Sequence, residues 1–130
     1  MKTFQRLLFI VVVLQLYLLC SCQESLEDKA ERQAKEYTRK YCPTPVYNYT
    51  STDSITFDRK RKVYTYYVSF YDDVDDVVFI NDHREEIVSM LQQSLKESTS
   101  LKTFMEAGFR FEYVCHSGSD PKRVLLKTGM

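Results

Sequence analysis

The feature that most constrains this chain is an apolar run from Leu7 to Leu19, broken only by Gln15 and preceded by Lys2 and Arg6. A basic start followed by a short apolar stretch is the layout of a secretory signal, and a core helix has no need of it. Coiled as a helix, the run spans roughly 20 Å at ~1.5 Å per residue, short of the ~30 Å hydrocarbon layer that a permanent span must cross. Residues 1–21 are therefore expected to be a removable signal, and residues 22–130 a single domain with one core. Removal of Lys2 and Arg6 leaves 16 basic against 18 acidic residues, a formal charge of −2. So weak a field recruits no nucleic acid.

The exit from the run is Leu19-Cys20-Ser21-Cys22, which resembles a bacterial lipobox. Leu stands three positions before Cys22 and a small residue directly before it, while Cys20 stands where Ala or Ser is usual. The resemblance implies acyl chains such as palmitate on Cys22, and hence a lipoprotein of the cell envelope. More than one chain gives stable anchoring at about 0.8 kcal/mol per buried methylene. The partner implied is the outer membrane, with the domain periplasmic or surface-exposed. Only Cys42 and Cys115 then remain. In an oxidising compartment they form either one disulfide or two separate thiols, and both readings stay open.

Leu26, Ala30, Ala34, Tyr37 and Tyr41 recur at helical spacing among charged residues, which predicts an amphipathic helix over residues 24–41, stopped by Cys42-Pro43-Thr44-Pro45. Residues 54–58 and 63–71 alternate as half-buried strands around a polar turn, Arg59 to Lys62. In the second strand Tyr64, Tyr66, Val68 and Phe70 share the expected core face, opposite Thr65, Tyr67, Ser69 and Tyr71. After an acidic loop, Asp82 to Glu85 has capping-box spacing before a stripe of Ile87, Met90, Leu91 and Leu95. A short turn of helix, residues 101–107, precedes a strand at 109–116, a turn cluster, and a last strand at 124–127. The expected fold is α+β: a two-layer sandwich of order αββαββ, its four-stranded, mostly antiparallel sheet carrying two helices on one face.

Chemistry-bearing patterns are sparse. Asp72, Asp73, Asp75 and Asp76 lack the spacing and glycine of a calcium loop, so a solvated acidic loop is expected and no metal. His83 and His116 sit in no nucleophile–base or ligand pattern, and the glycines form no phosphate cradle. No catalytic residues, no cofactor and no enzymatic activity are expected. The basic turn at Arg59–Lys62 and Lys122-Arg123 would lie at one end of the sheet if the two halves are related, facing anionic headgroups or a glycan. The outer sheet face offers the best interaction surface: Tyr67, Tyr71, Arg110 and His116, rich in the residue types that interfaces favour.

The signal ending at Ser21-Cys22, the charged helix closing at Cys42-Pro43 and the run Phe104 to Phe111 together resemble the small lipoproteins of unknown function found in Bacteroidota. In that setting Asp53-Ser54-Ile55 looks like an O-glycosylation signal. The resemblance implies an envelope protein and carries over no catalytic residue. The expected function is a membrane-anchored, non-enzymatic module that binds an envelope protein or glycan. The alternative is a carrier of a small apolar or lipidic ligand held between helices and sheet by Tyr37, Tyr41, Phe70, Phe104, Phe109 and Tyr113.

Overall fold

The computed structural model describes residues 1–19 and 23–130. Helix α1 (Lys2–Leu19) carries the apolar run, and its apolar side chains from Phe4 to Leu14 are exposed outside the core. Among the described residues no helix is long and apolar enough to cross a membrane.

Helix α2 (Leu26–Tyr41) starts at Ser25, whose Oγ accepts the Asp28 N–H at 3.1 Å and satisfies an otherwise orphaned first-turn amide. Its first turn is acidic and its last basic, as the helix dipole favours. The buried stripe is made of Ala30 and Ala34, small enough to bring the helix close to strand β1 (Thr50–Asp58). Thr38 exploits that approach: its Oγ1 donates to Ile55 O at 3.0 Å and accepts the Ile55 N–H at 2.9 Å. Thr44 continues the seam, its N–H reaching Thr52 O at 3.0 Å and its Oγ1 accepting the Thr52 N–H at 2.9 Å. Strand β1 lies at the sheet edge, where unpaired backbone groups invite another chain, and these two threonines close it.

The sheet runs in the order β1-β2-β3-β4, with β2 at Val63–Phe70, β3 at Arg110–Ser117 and β4 at Val124–Gly129. Both hairpins are antiparallel, but the central pair β2/β3 is parallel, so the sheet is mixed and the expected mostly antiparallel arrangement is corrected. The alternating patterns specify each hairpin but not how the two join. The join, residues 71–109, is a helical crossover that returns the chain to the end where β2 began, as parallel neighbours require.

That crossover also corrects the helix count and order. The acidic stretch is a 3₁₀ turn (Asp72–Val74) followed by α3 (Val77–Asp82), then α4 (Arg84–Glu97) and α5 (Lys102–Glu106). The cap is Asp76, whose Oδ1 accepts the Phe79 N–H at 2.9 Å, whereas Asp82 ends α3 instead of starting the next helix. The expectation of helices on one face holds: Ala30, Ala34, Ile80, Leu95 and Phe104 all pack with Tyr64, Val68, Phe70, Phe111 and Cys115. At the α5 end this layer is closed by rings. Phe104 stacks on Phe109 with centroids 5.5 Å apart, and Phe109 on Phe57 at 5.3 Å. Along α4 only Leu95 is fully buried.

Candidate functional site

Where α4 stands off the sheet, an apolar groove of about 380 Å³ opens. Phe70, the last residue of β2, lies in it, and the 3₁₀ turn adds Val74. Helix α3 supplies Phe79, on whose ring His83 stacks at 4.3 Å while His83 Nδ1–H donates to Phe79 O at 3.0 Å. One ring pair thereby fixes the α3–α4 junction. From α4 come Ile87, Met90 and Leu91, which the sequence pattern assigns to a buried stripe. They are only partly covered, and Met90 is 62% exposed.

The opposite wall is Asn48 and Tyr49, both in the left-handed region at φ 48° and 62°. Such a backbone is uncommon for a tyrosine and costs of order 1–3 kcal/mol. It is held by a reciprocal pair, the Tyr47 N–H to Thr50 O at 2.8 Å and the Thr50 N–H to Tyr47 O at 3.0 Å, and by the Tyr71 N–H on Tyr49 O at 2.9 Å. The result is an exposed aromatic ring held at the groove. Between Asp72 and Glu86 the chain carries seven carboxylates against the single guanidinium of Arg84, so the surroundings of the groove are acidic.

The outer sheet face gathers three of its four expected residues. Tyr67 and His116 stack with centroids 6.1 Å apart, and both line a depression of about 450 Å³ with Tyr71. Arg110 is not among them. It pairs with Val63 at the start of the parallel strands, six residues or roughly 20 Å along β3 from His116. Of the other residues that line the depression, Ser69 was expected on this face and Asp53 was not. Asp53 occupies a β-bulge between Thr52 and Ser54, and its Oδ2 accepts the Ser69 hydroxyl proton at 2.7 Å.

The basic turns stand at opposite ends of the sheet, because β2 and β3 run parallel; the expected shared end is corrected. Arg59 is engaged by α2, its Nη1 lying 2.6 Å from Asp28 Oδ1 and 3.0 Å from Glu31 Oε2, while Lys62 meets Glu27 at 3.5 Å. The Arg59 hydrogen bond, with that of Ser25, holds the Asp28 carboxyl below its ordinary range. Among the described residues no three potential ligands gather for a metal. Asp75 instead binds the β3–β4 turn, its Oδ2 accepting the N–H and hydroxyl of Ser119 at 3.0 and 2.6 Å.

Cys22 lies outside the described residues. Cys42 caps α2 and Cys115 faces the core, both as free thiols, and burial pushes Cys115 up to about 12. The six aromatic residues expected to line one ligand space are dispersed. Phe104, Phe109 and Tyr113 fill the core and Phe70 lines the groove. Tyr37 and Tyr41 line a separate cleft of about 490 Å³ beside Tyr64 and Tyr66.

Residues 25–126 match the family model described as Domain of unknown function (DUF8479). The chain belongs to this family. No curated protein matches the sequence. The DUF8479 domain is similar in structure to a Pseudomonas aeruginosa protein classed as secreted, with a TM-score of 0.68 at 13% identity over 83% of this chain and 95% of that one. It is also similar to the pilotin EpsS of the Vibrio vulnificus type 2 secretion system, with a TM-score of 0.59 at 10% identity over 81% of this chain and 86% of that one. At such identities the likeness is one of fold. The groove of this DUF8479 domain escaped the sequence reading because a helical stripe looks the same whether the sheet or a partner covers it. The one legible signal was surplus apolar surface: Met90 on α4, and Val46 and Tyr47 leading to Tyr49.

Proposed function

We propose that this DUF8479 domain is a non-enzymatic interaction module of the cell envelope, tethered by lipid on Cys22, that seats an apolar segment of a partner protein in the groove beside α3 and α4. The observation that carries the reading is the groove itself: Phe70, Phe79, Ile87, Met90 and Leu91 surround about 380 Å³ that the domain leaves unfilled. Concave apolar surface of this kind is where a partner recovers hydrophobic free energy, and aromatic rings at its mouth are frequent anchors. Two envelope or secretory proteins sharing the fold, one of them a pilotin, support the compartment.

The test is site-specific photocrosslinking in intact cells, with p-benzoylphenylalanine replacing Met90 and, separately, Lys127 on the other face of the sheet. The reading expects one discrete protein adduct at position 90, absent at position 127 and lost when Ile87→Lys is added. Absence of any adduct, or equal adducts at both positions, overturns it. A second reading, a small apolar or lipidic ligand, has the same groove in its favour, because about 380 Å³ is the scale of a small-molecule site. Adducts at position 90 to lipid alone would select it.

A further inference from the structure

The outer-face depression is separate from the groove and independent of what occupies it. Ser69 lines it beside its cross-strand partner His116 of β3, and the bulge residue Asp53 of β1 reaches it through the Ser69 hydrogen bond. Tyr71 borders it by lying against Gly118. A Cβ at Gly118 would come within 2.6 Å of the Tyr71 ring, so only glycine lets the ring lie there.

The imidazole shows which hydrogen-bonding groups the depression presents. His116 Nδ1 is fully buried and, among the described residues, has no partner. A buried N–H without an acceptor is costlier and rarer than a bare acceptor, and a buried imidazolium costlier still. The ring proton is therefore placed on Nε2, which has no hydrogen-bond partner among the described residues and serves as a donor. Asp53 spends one oxygen on Ser69, and among the described residues the other has no hydrogen-bond partner. No lysine or arginine lines the space.

We propose that this depression binds a neutral saccharide. An anion would face the Asp53 carboxylate with no cation to offset it. An ammonium group would find the His116 N–H pointing donor to donor. A purely apolar ligand would strand both polar groups without water. A pyranose meets all three demands: one hydroxyl accepts from His116, another donates to Asp53, and its C–H face lies against the electron-rich face of a tyrosine ring.

The experiment is saturation-transfer NMR on the full chain in a polyoxyethylene ether detergent, which carries neither sugar nor ammonium. The probes are maltose, cellobiose and N,N′-diacetylchitobiose, with tetramethylammonium and inorganic phosphate as contrasts. At least one disaccharide is expected to bind. Its affinity should fall at least tenfold in Asp53→Asn, which preserves shape, and in Tyr67→Ala, and hold in Arg110→Ala on the same face. Saturation of none of the three sugars, equal binding in wild type and Asp53→Asn, or saturation of tetramethylammonium instead would overturn the proposal. None of these results bears on the groove, whose crosslinks are read at position 90.

Discussion

The helical layer covers one sheet face unequally, and its two ends teach different things. At the α5 end Phe57, Phe104 and Phe109 stack ring on ring, with Tyr64 beside Phe104 at 6.3 Å. At the α3–α4 end the same layer presents comparable apolar side chains and leaves a groove. Both ends are apolar in sequence, so composition does not separate them. What separates them is burial: α5 sinks Phe104 into the core, whereas along α4 only Leu95 is fully buried. A domain builds its stability at the closed end and keeps surface available at the open one.

The largest effect should come from breaking the closed end. Phe104→Ala is expected to cost about 3–5 kcal/mol through lost contacts and a residual cavity, whereas Met90→Ala should stay within about 0.5 kcal/mol while weakening the groove crosslink. Urea unfolding of both variants checks this, and equal costs would erase the distinction between the ends. Next comes the β1 seam. Thr38→Val removes the hydroxyl that serves both Ile55 N–H and Ile55 O, for about 1–3 kcal/mol, and should speed amide exchange at Ile55 while leaving β3 protected.

The smallest effect is the onset of an alkaline loss near pH 9. Burial pushes Tyr64, Tyr113 and Cys115 each up to about 12, from ordinary values of 10.0 for the tyrosines and 9.0 for the thiol. All three are neutral below their ordinary range and ionise first in the unfolded chain. Stability is thus complete below about pH 9 and drains as pH rises toward 12. At pH 9 itself Cys115 should cost only roughly 0.4 kcal/mol. Tyrosinate absorbance and melting temperature across that range check the sign; early ionisation of Tyr64 would mean the closed end is not closed.

Much of this architecture was legible. The alternation of Tyr64, Val68 and Phe70 against Tyr67 and Ser69 fixed the faces of β2, and Ala30 and Ala34 fixed that of α2, because strand and helix periods are local properties. The parallel central pair was not legible, since nothing in either hairpin records the direction of the other. That one unknown then propagated. It put the basic turns at opposite ends and brought His116 rather than Arg110 beside Ser69. On the site, Tyr67, Tyr71 and His116 were readable from alternation, whereas Asp53 was not, because a bulge breaks the period that would have revealed it.

The bridges from Arg59 to Asp28 and Glu31 matter for orientation as well as for charge. They tie the first turns of α2 to the β1–β2 turn, and the groove lies at the other end of those strands, beside Thr50 and Phe70. Strand β1 is nine residues long, so the two ends stand about 30 Å apart. Under the anchor proposed on Cys22 the domain would act as a mast: the end nearer the anchor is braced by ion pairs, and the groove is carried a strand's length from it.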